Sequence, residues 1–222
     1  MMLMQRFLNP QNDIAFKKIF GTEVNKDILI SLLNGVLNKQ FHRPIVDVKF
    51  LNPFQEPEAL AKKQSIVDVL CQDSDGCQYI IEMQIAQTSG FEERAQYYAY
   101  KAFISQMNRG DRYEGLKEVI FLAFTNFSIF PDKKHYKSEH VTLDRHTLTR
   151  DLDKLSFTFV DLVKFDAKIK GRSVSSLNLE EKFYYFLRHA DETRGEELSR
   201  FVGKDDVLGK AYSVLEIGRA HV

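Results

Sequence analysis

Apolar residues in the first part of the chain recur at helical spacing. A first helix is predicted over residues 13–20, with Asn12 as its N-cap and Gly21 at its end. A second helix is predicted after Asn25, and its apolar positions are Ile28, Leu29, Leu32, Leu33, Val36 and Leu37. The N-terminal part of the chain is therefore predicted to be helical.

The middle of the chain changes to short runs that are rich in β-branched and aromatic residues. Strands are predicted over residues 45–51, 65–72 and 78–86. The segment 73–76 (DSDG) joins the last two strands, and its Gly76 supplies the positive φ that a tight turn requires. These two strands are therefore predicted to pair as an antiparallel hairpin.

A helix and a buried strand follow the hairpin. The helix is predicted over residues 91–109, with small and aromatic residues on one face and Gly110 just past its end. Residues 118–125 form a nearly continuous apolar run, which is typical of a strand buried on both faces. The element order is thus α-β-β-β-α-β, and an α/β core is expected over residues 10–130.

The rest of the chain is predicted to extend this core rather than to belong to it. The extension covers residues 131–216, with strands near 139–143 and 155–160 and a helix near 179–192. The last six residues, 217–222, match what one reading frame of a common sequencing adapter would encode. We hypothesise that these six residues are an artefact and that the natural chain is longer.

Composition narrows the class of protein. Lys and Arg number 31 and Asp and Glu also number 31 among 222 residues, and this balance excludes a generally basic nucleic-acid coat. No apolar run approaches the roughly 18 residues that cross a bilayer, and the N-terminus lacks the pattern of a signal peptide. We therefore expect a cytoplasmic protein without a membrane partner, in which Cys71 and Cys77 are reduced thiols.

The predicted hairpin places acidic residues in an unusual position. Side chains alternate along a strand, and the odd-numbered ones are expected to form the core face, namely Val67, Val69, Cys71, Tyr79, Ile81, Met83 and Ile85. The even face has Asp68, Glu82 and Gln84 among apolar neighbours. A three-residue loop at 74–76 sets Asp68 directly opposite Glu82, with Gln84 diagonal to Asp68.

Two interpretations fit this pairing of acids. Like charges directly opposite each other destabilise a sheet, and a cation between them would reverse the sign. Mg²⁺ prefers one or two carboxylates together with waters and phosphate oxygens, and it can activate water for phosphodiester cleavage. The alternative is an exposed polar face, on which Asp68 and Glu82 pair with Lys or Arg from elsewhere. Spacing alone leaves both interpretations open.

Several segments together resemble the PD-(D/E)XK nuclease superfamily, and more closely its recombination-promoting nuclease and transposase branch. The matching segments are 12–21 (NDIAFKKIFG), 32–34 (LLN), 65–71 (SIVDVLC), 75–76 (DG), 80–84 (IIEMQ) and 91–98 (FEERAQYY). The resemblance covers roughly residues 10–130. It implies a restriction-endonuclease-like α/β fold with a mixed central sheet flanked by helices, followed by a C-terminal extension.

The resemblance also implies a catalytic metal site in the hairpin. Asp68 and Glu82 match the family's metal-binding acids, with Mg²⁺ or Mn²⁺ as the ion, and Gln84 stands at the third catalytic position in place of the usual Lys. An amide cannot accept a proton as a general base does. The base is therefore left open between a hydroxide on the metal, a substrate phosphate, and Lys62 or Lys63.

Asp13 and one edge of the helix after the hairpin are further candidates. Many members of the superfamily add an acid from the first helix, which implies Asp13 as a metal ligand; an acid favoured by the helix dipole is the alternative. Arg94, Tyr98 and Lys101 follow i, i+4, i+7 spacing. They are expected to bind DNA, with Arg94 offsetting phosphate charge. For Tyr98 and Lys101 a solvated helix flank is the alternative.

Together these observations predict a metal-dependent DNA endonuclease that hydrolyses phosphodiester bonds, of a mobile-element or recombination-promoting type. DNA is the expected partner, and a homodimer is left open. The alternative, which Gln84 favours, is a catalytically weak or inactive descendant of the nuclease fold that binds DNA or protein.

Overall fold

The computed structural model describes residues 6–37, 43–55, 65–203 and 205–217. The chain divides into two compact units. One unit is formed by residues 47–164, and the other combines residues 1–46 with residues 165–222. The expected candidate site in the hairpin lies entirely within the first of these units.

Before residue 130 the helices and strands follow the expected order. The structure has two more short strands than were predicted. The helices are α1 (Asp13–Phe20), α2 (Lys26–Leu37), α3 (Phe91–Ile104), α4 (Leu162–Ile169), α5 (Leu179–His189), α6 (Gly195–Val202) and α7 (Asp206–Leu215). The strands are β1 (Val48–Phe50), β2 (Phe54–Gln55), β3 (Ser65–Ile66), β4 (Val69–Asp73), β5 (Gln78–Gln84), β6 (Val119–Thr125), β7 (Lys137–Val141) and β8 (Leu155–Asp161).

A six-stranded mixed sheet forms the centre of the unit 47–164. Its strand order is β1-β4-β5-β6-β8-β7, and the short strands β2 and β3 pair separately. Strands β5, β6 and β8 run parallel, whereas β1, β4 and β7 join the sheet by antiparallel pairing. All seven residues of β6 are buried, which confirms the prediction of a strand covered on both faces.

The hairpin of β4 and β5 has the predicted register. Val69 pairs with Ile81 and Cys71 with Tyr79, so Asp68 lies one step beyond the last pair, opposite Glu82. Gly76 in the turn has φ +89°, a conformation that favours glycine because it has no Cβ.

The predicted core residues on the odd-numbered face of the hairpin are buried from Val67 to Met83, as expected, and the even face is also covered, because α3 packs over it. Leu70 and Ile80 join one apolar cluster with Phe91 of α3. Val67 belongs to the same cluster, since the chain leaves the strand conformation between β3 and β4. Ile85 lies beyond the end of β5 and is 53% exposed.

The helix predicted over residues 91–109 ends at Ile104 instead. The next residues form tight turns, in which the N–H of Gln106 donates to the carbonyl oxygen of Phe103. The N–H of Met107 donates to the carbonyl oxygen of Ile104. The Gln106 side chain then pairs with both backbone groups of Lys117 at 2.8 and 3.2 Å. This contact with a distant segment takes the chain away from the helical path.

The C-terminal half contributes strands to the same sheet. The strands expected near 139–143 and 155–160 are β7 and β8, and β8 lies beside the central strand β6. The sheet thus continues across the expected border at residue 130, and that border stays a prediction. So does the proposed artefact at 217–222, because residues 218–222 lie outside the described residues.

Helices dominate the second unit. α2 packs against α1, α5 and α7. The predicted cap of α1 is confirmed, since the Asn12 side chain accepts from the Ile14 N–H at 3.0 Å. Asn178 and Glu181 form a reciprocal capping box at the start of α5. No helix in the described part of the chain is long and apolar enough to cross a membrane.

Candidate active site

The open end of the β4–β5 hairpin brings two carboxylates together. Asp68 occupies the bend just before β4, and its backbone N–H donates to Glu82 Oε1 at 3.1 Å. In return, the Met83 backbone N–H donates to Asp68 Oδ2 at 2.9 Å. Each carboxylate is thus hydrogen-bonded to the backbone of the opposite strand, in the opposition that the register predicts.

Glu82 is a buried acid, with only 3% of its surface exposed. Burial raises the pKa of its carboxyl group above the ordinary range, and the Asp68 carboxylate raises it further. The Asp68 N–H, the Arg94 charge and the Gln84 amide act in the opposite direction without reversing the shift. The carboxyl group of Glu82 therefore binds a proton more readily than an exposed glutamate does.

Gln84 connects this acid to a cation. Its Nε2 donates to Glu82 Oε2 at 2.9 Å, and its Oε1 accepts from Arg94 Nη2 at 2.7 Å. The two partners fix the orientation of the amide, because a carboxylate only accepts and a guanidinium only donates. This link is not predicted by the sequence. Both residues were candidates, but no sequence signal showed that the first turn of α3 returns to the end of β5.

Arg94 is held in place by its own helix. Its guanidinium lies 5.0 Å from the centre of the Phe91 ring, one turn earlier in α3. Gly90, with φ +75°, turns the chain into this helix. The buried Nε of Arg94 has no hydrogen-bond partner in the described residues. Buried donors normally have a partner, so the Nε–H of Arg94 is an exception among the described residues.

Tyr98 lies one turn after Arg94 at the same end of the sheet. Burial raises the pKa of its phenol, and the nearby Glu82 charge raises it further. Tyr98 is therefore a neutral hydrogen-bond donor at physiological pH. Lys101, one turn later, is partly buried, and the DNA contact expected for it stays a prediction.

The sequence was compared with models of known protein families. A family model described as PD-(D/E)XK nuclease family transposase matches residues 10–221. The chain belongs to this family. The match extends well beyond the resemblance expected over residues 10–130, and the restriction-endonuclease-like fold class is confirmed. Comparisons with curated proteins and with solved structures found no match.

The remaining candidates of this PD-(D/E)XK family member are Asp13, Lys62 and Lys63. Asp13 belongs to α1 in the other unit and forms an i, i+4 ion pair with Lys17 at 2.7 Å. Its side chain is 64% exposed, and its role as a metal ligand stays a prediction. Lys62 and Lys63, the candidates for a general base, lie outside the described residues.

Asp68 and Glu82 fit a divalent metal ion by their chemistry. The described residues contain no group of three or more acids, histidines or cysteines that could hold a metal. Two carboxylates suffice for Mg²⁺, which keeps several waters and binds substrate phosphate as well. A cation bound here would offset the burial and the Asp68 charge that raise the pKa of Glu82.

Proposed function

We propose that this protein is a metal-dependent DNA endonuclease of a mobile-element or recombination-promoting type. The observation that supports this proposal is the opposed pair of Asp68 and the buried Glu82 at the end of a hairpin, in a chain of the PD-(D/E)XK transposase family. An acid pair held this closely is costly unless a cation joins it.

Asp68 and Glu82 are the residues that would hold Mg²⁺ or Mn²⁺. When bound, such an ion supplies activation of water and stabilisation of charge on the scissile phosphate. The protein's own part is to orient the ligands: the Met83 N–H holds Asp68, and the Gln84 amide holds Glu82. These contacts correspond to the outer hydrogen bonds that tune metal sites in general.

Gln84 acts as a positioning residue rather than as a base. Its two amide ends already bind Glu82 and Arg94, and an amide takes up no proton near neutral pH. Arg94 supplies the positive charge that the usual Lys would bring. The guanidinium group of Arg94 is suited to offset the charge of a substrate phosphate, and the Tyr98 hydroxyl is suited to a hydrogen bond with one of its oxygens.

Plasmid nicking tests the proposal. Purified protein is incubated with supercoiled plasmid in Mg²⁺, in Mn²⁺ and in EDTA, beside Asp68→Ala from the same purification. Cleavage that requires metal and disappears in Asp68→Ala, with an unchanged circular dichroism spectrum, is the expected result. Equal cleavage by a folded Asp68→Ala protein would refute the metal assignment.

The second candidate function is a binding protein that has lost catalysis. Gln84 favours it, because the amide occupies the position of a catalytic Lys and both of its ends are engaged. A folded protein that binds DNA and fails to nick it with either metal would establish this alternative. A homodimer and a cytoplasmic location are also proposed from the sequence.

A further inference from the structure

A second concave site lies on the opposite flank of α3 from Arg94. Glu92, Gln96 and Tyr100 line it from the helix, at i, i+4, i+8 spacing. The buried face of α3, with Ala95 and Ala99, separates this row from the Arg94 row. The cavity has a volume of about 320 Å³, within the range of sites that bind small molecules.

Aromatic rings form the walls of this cavity. Phe130, Phe157 and Phe159 line it together with His140. Phe130 and Phe159 meet edge to face at 5.4 Å, and the His140 ring lies 5.0 Å from Phe130. Burial, and then the charge of Lys133, lower the pKa of His140. The imidazole is therefore neutral near pH 7, and the walls suit a flat, uncharged ring.

One polar group that lines the cavity, the Glu92 carboxylate, favours a hydrogen-bond donor on the ligand. The partly buried Glu92 carboxylate has no ion pair or hydrogen bond with any residue of the described ranges, and the same holds for the Tyr100 hydroxyl. A carboxylate accepts and never donates when ionised. A flat ring with an amino group at its edge satisfies both the aromatic walls and Glu92.

We propose that this cavity binds an unpaired nucleobase with an exocyclic amino group. Guanine, adenine and cytosine have such a group, whereas thymine has two carbonyls and one ring N–H. The base must be unpaired, because within a duplex its faces are stacked and its pairing edge is occupied. The inference rests on the proposed function insofar as the base belongs to a DNA substrate held at Arg94 on the same helix.

Titration with single nucleotides tests the cavity independently of cleavage. The full chain, in EDTA, is titrated with dGMP, dAMP, dCMP, dTMP or inorganic phosphate, and the His140 ring protons are followed by NMR. We expect saturable shifts with the three amino nucleotides, at least fivefold weaker binding of dTMP, and no saturable shift with phosphate. Phosphate alone producing the same shifts would overturn the proposal.

Matched variants assign the binding to the cavity. Tyr100→Ala is expected to weaken the binding of all four nucleotides by at least about fivefold, because one stacking partner is lost. Glu92→Gln is expected to abolish the preference for the three amino nucleotides over dTMP. The controls are Tyr113→Ala and Glu93→Gln, which alter exposed residues outside the cavity. Unchanged binding in a folded Tyr100→Ala protein would overturn the proposal.

The titration and the nicking assay test the two proposals independently. A protein that nicks plasmid but binds none of the four nucleotides refutes the cavity alone. A protein that binds amino nucleotides through Tyr100 but never nicks DNA leaves the cavity supported and refutes the endonuclease.

Discussion

The β4–β5 hairpin has acidic residues at both of its ends, and their surroundings differ. At the turn, Asp73 Oδ1 accepts from the N–H groups of Asp75 and Cys77, both at 2.9 Å. Its other oxygen accepts from the Tyr79 hydroxyl at 2.6 Å. Burial raises the pKa of Tyr79, so the phenol remains a neutral donor. Three neutral donors thus satisfy this carboxylate within the fold.

The open end differs, because two carboxylates face each other there. Glu82 accepts from one backbone N–H and from the Gln84 amide, and it faces Asp68 in a buried position. The carboxylates at the two ends of the hairpin are therefore proposed to have different roles. An acid surrounded by neutral donors stabilises a turn, whereas two acids that face each other are where we propose that a cation binds.

The largest expected effect is the loss of cleavage on removing either acid of the open end. Asp68→Asn and Glu82→Gln should each lower metal-dependent nicking on the order of 10³-fold or more, because a metal ligand is worth several kcal/mol in the transition state. Asp73→Asn, at the turn end, is the matched control and should retain cleavage. Single-turnover nicking measures all three. If Asp73→Asn loses as much nicking activity as Asp68→Asn and Glu82→Gln, the two ends of the hairpin do not differ in function.

Arg94→Gln should lower nicking by about 10- to 100-fold, as is typical for residues that support a metal site from the outer shell. The variant removes the charge that reaches Glu82 through Gln84 and frees the Gln84 oxygen. Arg109→Gln, an exposed residue beyond the end of α3, is the control. Salt dependence of DNA binding should change in Arg94→Gln as well. Wild-type nicking by this variant would exclude Arg94 from the site.

Gln84→Ala should cost less than either carboxylate, by about tenfold, since the amide only orients its neighbours. A Gln84→Ala protein as inactive as Asp68→Asn, measured in the same nicking assay, would contradict a positioning role. Gln84→Lys introduces the side chain that we expect at this position in other members of the family, and it should raise nicking only when Arg94→Gln removes the adjacent cation. The double variant is therefore the sharper comparison with wild type.

The two ends of the hairpin also differ in how far sequence predicts them. The turn, its Gly76 and the register follow from local composition, and they place Asp68 opposite Glu82. The bend at Asp68 does not follow, because Ile66, Val67 and Val69 continue a strand pattern without a break. The bend depends on contacts across the hairpin, such as the Met83 N–H bonded to Asp68.

Contacts between distant segments account for the other differences. The early end of α3 depends on Gln106 pairing with Lys117, and the aromatic cavity depends on β8 lying beside β6. Neither is encoded within a short window of sequence. The Gln84 to Arg94 bond likewise requires the path of α3 across the sheet, which periodicity alone does not determine.

Tyr79→Phe at the turn end should lower the free energy of unfolding by about 1.5 kcal/mol, because it removes a hydrogen bond to a charged acceptor. Nicking should stay at the wild-type level after correction for the folded fraction. Urea unfolding followed by circular dichroism gives the stability. A stable Tyr79→Phe protein that has lost nicking would assign a catalytic part to the turn end.

The last expected effect is a pH dependence of stability that belongs to the open end alone. Glu82 has a raised pKa in the folded protein, so between the ordinary glutamate pKa and this raised value the folded state binds more protons than the unfolded state. The free energy of unfolding therefore falls as pH rises through this window, and the penalty is absent below it.

Glu82→Gln removes this titration, so its stability should exceed that of wild type increasingly as pH rises. Urea unfolding in EDTA, from mildly acidic to mildly alkaline pH, measures the divergence. Mg²⁺ should narrow it, because an ion bound only by the folded wild type stabilises that protein and not the variant. If the free energy of unfolding depends on pH in the same way for wild type and Glu82→Gln, the open end tolerates its two charges without a cation. Only the cleavage assay would then distinguish the open end from Asp73.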